Sequence, residues 1–129
     1  ASIPVIEYAK ELKVGKIGLY RALVVSNLIA IHQKRFIGSL SAYCGAVSAA
    51  CGSGAGIAYM MGMDYESICN VITDSITNIG GMVCDGAKPS CAAKTAVAVE
   101  TARLALELSR HQHVCRSGEG LVKDDIEKI

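Results

Sequence analysis

The sequence predicts an all-α protein, a helical bundle around a central apolar helix at about residues 89–110. Of its 129 residues, 51% are hydrophobic and 19% are charged, which is enough apolar material for one core and excludes a disordered chain. No segment sustains the apolar/polar alternation of a strand, and no Asn-Gly or Asp-Gly joins two strand-like runs. We therefore expect residues 1–129 to form a single helical domain.

The first two predicted helices cover residues 4–13 and 19–34. Pro4 is compatible with the first turn of a helix, where its missing N–H costs nothing. The second helix is strongly apolar and ends at Lys34 and Arg35, whose positive charges suit the negative pole of a helix dipole.

Residues 36–63 contain no charged side chain. A membrane span needs about 20 predominantly apolar residues, so this segment has to be considered as one. Its glycines, serines and cysteines make it weakly hydrophobic, and it lacks the aromatic and basic flanks of a spanning helix. The segment therefore predicts a buried helix of a soluble protein, with no membrane partner.

Two further helices follow. An acidic first turn beginning at Asp64 predicts a helix that stops at the glycines of residues 80–81. Proline at the start and one narrow polar stripe predict a long helix over residues 89–110. Most of its other positions are Ala, Val or Leu, so neighbours should cover it on most sides, which is why we expect it at the centre. Residues 122–128 predict one or two final turns.

Charge and cysteine content narrow the class of protein. With 13 Lys and Arg against 12 Asp and Glu, the chain lacks the basic excess of a nucleic-acid-binding protein. Six cysteines in a chain without a signal peptide favour reduced thiols or a metal site over disulfides, and hence a cytoplasmic location. The chain begins at Ala1 rather than Met, which suggests a fragment of a longer protein.

Three of the six cysteines are candidate ligands. Cys84 and Cys91 flank a six-residue turn that can bring both sulfurs to one point, and Cys91 would lie in the first turn of the long helix. There, free N–H groups and the nearby Lys88 favour a thiolate. Cys44 is also expected near a helix start. The apolar surroundings of Cys69 indicate a structural thiol.

The spacing of these cysteines limits the type of centre. Structural zinc sites pair cysteines two to four residues apart, and ferredoxin-type clusters use close runs; the sequence has neither. Three thiolates, from Cys44, Cys84 and Cys91, remain. On a four-iron cluster they would leave one iron open to a substrate. Spacing alone leaves buried structural thiols without a metal as the alternative.

Residues 80–94 read Gly-Gly-Met-Val-Cys-Asp-Gly-Ala-Lys-Pro-Ser-Cys-Ala-Ala-Lys. This run resembles the signature of the L-cysteine desulfidase family, which is related to the alpha chain of iron–sulfur L-serine dehydratases. The resemblance extends over about residues 35–110 and includes the segment from Tyr43 to Gly56.

The resemblance implies that Cys44, Cys84 and Cys91 bind a [4Fe-4S] cluster. It also implies α,β-elimination of L-cysteine to sulfide, ammonia and pyruvate, with the open iron acting as a Lewis acid on the departing sulfur and without pyridoxal phosphate. L-Serine, which would lose water, is the alternative substrate, and a metal-free helical interaction module is the alternative of a different class.

Family members are much longer, and this chain resembles only their C-terminal part. The catalytic base and the site for the substrate carboxylate are expected in a missing N-terminal domain or beta chain, so no residue here is assigned to them. The fragment alone is expected to be inactive, and a purified preparation can lack the cluster. His111, His113 and Cys115 form a His-x-His-x-Cys run, for which a solvated tail is the alternative to a metal site.

Overall fold

The computed structural model describes residues 1–37, 44–79, 82–84 and 87–111. These residues form five α-helices: α1 (Ser2–Leu12), α2 (Lys16–Ile37), α3 (Gly45–Met60), α4 (Tyr65–Ile79) and α5 (Pro89–Arg110). The described part contains no β-strand, so the all-α prediction is confirmed. The predicted bounds of the last helix agree with α5. The helical turns predicted at residues 122–128 lie outside the described residues.

The centre of the bundle is α3, whereas the sequence predicted α5. Helix α3 packs against α1, α2, α4 and α5, and nearly all of its residues from 47 to 58 are buried. Helix α5 packs against α3 and α4, and its Val97 and Leu104 are half exposed. The reason is side-chain size: α3 consists mainly of Gly, Ala and Ser, which leaves room for helices on all sides.

Glycine allows α2 and α3 to meet at backbone distance. A Cβ atom at Gly52 would collide with the carbonyl oxygen of Ser26 and lie 3.1 Å from Cβ of Ala30. A Cβ atom at Gly56 would lie 2.9 Å from the carbonyl oxygen of Ala22. These two glycines therefore set the distance between the helices.

Small clusters of buried side chains surround α3. The largest contains buried residues from all five helices, among them Val71 on α4 and Leu106 on α5, which are 0% and 1% exposed. A second cluster connects Ala50 on α3 with Ala98 and Ala102 on α5. The core is therefore built from many small contacts along α3.

Local signals explain the ends of two helices. Lys13 adopts the left-handed conformation (φ 54°) and ends α1, with its N–H bonded to carbonyls of the last turn. At the start of α4, Asp64 Oδ1 accepts a 2.8 Å hydrogen bond from the N–H of Ser67, and this bond lowers the pKa of the Asp64 carboxyl. No helix among the described residues has the length and apolar character needed to cross a membrane.

Candidate functional site

Cys44 lies at the N-terminus of α3, where it precedes the first helical turn in an extended conformation. It is 6% exposed. Its backbone N–H donates a 3.0 Å hydrogen bond to the carbonyl oxygen of Met82. This contact joins two segments that are far apart in the sequence, and it places the backbone of Cys44 beside the segment that carries Cys84.

The segment 82–84 is also bonded to α5. The ammonium of Lys94 donates a 2.8 Å hydrogen bond to the carbonyl oxygen of Val83. Lys94 lies one turn after Cys91, whose own N–H donates to the carbonyl oxygen of Lys88 at 2.8 Å. One short segment thus contacts both the start of α3 and the first turns of α5. We call the region defined by Cys44, segment 82–84 and the α5 turn 91–94 the cysteine corner.

The three predicted ligands differ in exposure. Cys44 is buried, Cys91 is half-buried and Cys84 is exposed. Within the described ranges, no group of three or more His, Cys, Asp or Glu residues is placed so that it could hold a single metal ion. A [4Fe-4S] cluster would not need three ligands at one ion, because each of its thiolates binds a different iron.

A buried hydroxyl lies one turn into α3 from Cys44. Ser48 is 4% exposed, and its Oγ has no hydrogen-bond partner among the described residues. Its usual local partner would be the carbonyl of Cys44, one turn earlier. Other helical hydroxyls make this bond, at Ser53, Ser75, Thr77, Thr95 and Thr101. Residues four positions apart lie on the same face of a helix, so this unused donor and Cys44 share one face of α3.

A positive charge lies at the same end of α3. Nζ of Lys34 is 3.4 Å from the position that a Cβ atom of Gly45 would occupy. The first N–H groups of a helix carry partial positive charge, so this ammonium adds to a field that favours anions such as thiolates. The donor set, the orphaned Ser48 hydroxyl and this field all fit an anionic iron–sulfur cluster.

Other cysteines and histidines have structural explanations. Cys51 is 0% exposed within α3, and burial raises the pKa of its thiol to about 12. Cys69, predicted as a buried structural thiol, is half-buried on α4. His111 is exposed and lies 4.0 Å from Oε2 of Glu107. The rest of the predicted His-x-His-x-Cys run, His113 and Cys115, lies outside the described residues.

Sequence reasoning did not identify Ser48 or Asp74 as features of interest, and it treated Lys34 only as a cation at the end of α2. Asp74 is a carboxylate that is 0% exposed on α4. The sequence does carry a signal for Asp74, because it is an acidic residue among the regularly spaced apolar residues of α4. For Ser48, and for the place of Lys34 beside α3, no local signal exists, because both depend on which helices pack together.

The comparison with protein families decides the affiliation. The family model described as serine dehydratase alpha chain matches residues 1–129. The chain belongs to this family. Members of the serine dehydratase alpha chain family are lyase-like enzymes and generally depend on iron–sulfur clusters.

Curated relatives carry the name UPF0597 protein. Those from Desulfitobacterium hafniense and Treponema denticola are 53% and 50% identical to this chain over 127 residues, and one from Lachnoclostridium phytofermentans is 54% identical. Each match covers 98% of this chain and 30% of the relative, so the chain spans about a third of their length. No solved structure matches the chain.

Proposed function

We propose that this chain is the cluster-binding part of an iron–sulfur lyase that eliminates sulfide from L-cysteine. Cys44, Cys84 and Cys91 would hold a [4Fe-4S] cluster. The observation that carries the proposal is the hydrogen bond from Cys44 N–H to the Met82 carbonyl. It brings two of the three cysteine-bearing segments together, and the Lys94 bond to Val83 adds the third.

The overall reaction balances without an external oxidant or reductant. Loss of the Cα proton and cleavage of the Cβ–S bond release hydrogen sulfide and leave an enamine, which tautomerises and takes up one water to give pyruvate and ammonia. When bound, the cluster supplies a Lewis-acidic iron to the leaving group.

The residues of this chain would serve to hold and orient the cluster. Lys94 fixes segment 82–84 through the Val83 carbonyl and so orients Cys84 relative to Cys91. Lys34 and the first N–H groups of α3 favour the negative charge of bound thiolates. The proton-abstracting base and the carboxylate-binding groups would come from the part of the longer polypeptide outside these residues, so we expect the isolated chain to be inactive.

L-Serine is the second candidate substrate, because the matching family model is that of a serine dehydratase. The same elimination would then release water in place of sulfide. The cysteine corner serves both reactions equally, so this distinction depends on the groups that contact the substrate side chain.

Anaerobic reconstitution with iron and sulfide tests the cluster. The chain should develop the broad brown absorbance of an iron–sulfur cluster, and Cys84→Ala together with Cys91→Ala should abolish it. Cys69→Ala is the matched control and should retain it, since Cys69 lies on α4 outside the cysteine corner. Absence of absorbance in the unmodified chain would instead favour a metal-free interaction module. Persistence of the absorbance in the double variant would show that Cys84 and Cys91 do not hold the cluster and would remove the basis of the lyase proposal.

The substrate is tested on the polypeptide at the length of its relatives. Sulfide release from L-cysteine, with equimolar pyruvate, should exceed pyruvate release from L-serine in kcat/KM. The reverse order would assign the enzyme to serine while leaving the cluster proposal intact.

A further inference from the structure

Helix α2 carries an exposed stripe of large apolar side chains. The residues, each 57–70% exposed, are Ile17, Tyr20, Val24, Leu28 and Ile31. They are spaced three or four positions apart, so they lie along one face of the helix. We call this set the α2 stripe.

The opposite face of α2 is buried although its side chains are small. Ala22 and Ser26 are both 0% exposed, and with Ala30 they meet Gly52 and Gly56 of α3. Leu19, Leu23, Val25 and Ile29 flank this face and pack against the core while partly buried. The five large apolar side chains of the α2 stripe are left without such cover. A contiguous exposed apolar patch of this kind marks a surface that another part of the protein, or a partner, covers.

The comparisons indicate what covers the stripe. The relatives extend over about three times the length of this chain, so most of their polypeptide lies outside it. We propose that the α2 stripe is the surface on which that remaining part of the polypeptide packs. This inference does not depend on the cluster.

Charge indicates the chemistry of the opposing surface. Helix α2 contains Lys16, Arg21, Lys34 and Arg35 and no acidic residue. The surface that covers it should therefore present an apolar face bordered by carboxylates. A second copy of α2 would bring like charges together, which disfavours self-association through this stripe.

Hydroxyl-radical footprinting of the polypeptide at the length of its relatives tests the proposal. In the structure Tyr20 is 60% exposed and Tyr65 is 81% exposed, so both should react at similar rates if nothing covers α2. We expect Tyr20 to react at least fivefold more slowly than Tyr65. Equal reactivity would overturn the proposal, as would protection that requires high protein concentration (a second copy) or anionic lipid vesicles (a membrane surface).

A pair of matched variants provides the second measurement. Leu28 on α2 and Leu104 on α5 are 59% and 51% exposed. In the longer polypeptide, Leu28→Asp should lower the unfolding temperature by several degrees and restore the reactivity of Tyr20, whereas Leu104→Asp should leave the reactivity of Tyr20 unchanged. If both variants had the same effect on Tyr20 and on stability, the loss would come from the added charge and the proposal would fail.

Discussion

Substitution of Gly52 by alanine tests the close packing of α2 against α3. Gly52 is buried in the middle of α3, and a Cβ atom there would meet the carbonyl oxygen of Ser26 inside contact distance. Cβ and N of Ala30 would lie 3.1 and 3.2 Å away. Two of these three atoms belong to the backbone of α2, so no side-chain rotation can make room.

Two opposing effects determine how much Gly52→Ala changes the stability of the chain. Replacing glycine by alanine inside a helix gains about 1 kcal/mol of helix propensity. Overpacking a well-packed core costs about 1–3 kcal/mol and more where the backbone must move. Because α2 must shift as a whole, we expect the upper end of that range, and a net loss of about 2 kcal/mol. At roughly 4 °C per kcal/mol, the unfolding temperature should fall by about 8 °C.

Gly54→Ala is the matched control, since it makes the same substitution in the same buried helix. A Cβ atom there would lie 3.2 Å from Cγ1 of Val71 and 3.3 Å from Cβ of Ala102, both on side chains. These neighbours need to move by only a few tenths of an ångström, far less than at Gly52, so the stability of Gly54→Ala should stay within about 1 kcal/mol of the original. Thermal and urea denaturation followed by helical circular dichroism measure both variants. The reasoning is refuted if Gly52→Ala is as stable as the original or if Gly54→Ala loses as much.

Three further predictions concern single side chains. Ser48→Ala should raise the free energy of unfolding of the cluster-free chain by about 1 kcal/mol, because it removes an unsatisfied buried hydroxyl. The same variant should lose a bound cluster to a chelator faster than the original. A cluster-free variant that is less stable than the original would contradict this. In urea titrations, Asp64→Ala should lose a constant amount of stability near neutral pH, and this loss should shrink as the pH falls below 3.8. The reason is that folding lowers the pKa of the Asp64 carboxyl. Its stabilising contribution is therefore complete above the pKa of the unfolded chain and absent below the pKa of the folded chain. A loss that does not vary with pH would show that the charge of Asp64 is irrelevant. Iodoacetamide at pH 8 should alkylate the exposed Cys84 of the cluster-free chain and spare Cys51, whose pKa is raised to about 12, as judged by peptide mass spectrometry; comparable labelling of both would contradict the burial of Cys51.

The helices could be predicted from the sequence because their signals are local. Pro89 at the start and the polar stripe ending at Arg110 predicted α5 with the bounds that the structure has. The central position of α3 could not be predicted in the same way. Apolar content favoured α5, but the number of neighbours a helix can accept depends on the size of its side chains. The small residues around Gly52 allow α3 to be central, but this follows only from the close packing of α2 against them.

The candidate site likewise has a part that the sequence predicts and a part that depends on how the helices pack. Cys84 and Cys91 are close in the sequence, so their spacing already indicated a common centre. The approach of Cys44 to Met82 crosses nearly forty residues and depends on how α3 and α4 pack, which no local pattern specifies. Lys34 was predicted as a cation at a helix end. Its place beside the start of α3 follows from the antiparallel pairing of α2 and α3.

The pairing of α2 with α3 also connects the fold to the cysteine corner. Along this pair, Gly56 meets Ala22, Gly52 meets Ser26, and Gly45 meets Lys34. The two close glycine contacts fix the register, and the register sets which residue of α2 reaches the start of α3. A slip of one residue would move Lys34 by about 1.5 Å along the helix axis and turn it by about 100° around it. The glycines of α3 therefore position the charge beside Cys44 from two turns and more away, and a Gly52 variant that shifts α2 should weaken cluster uptake beyond what its loss of stability explains.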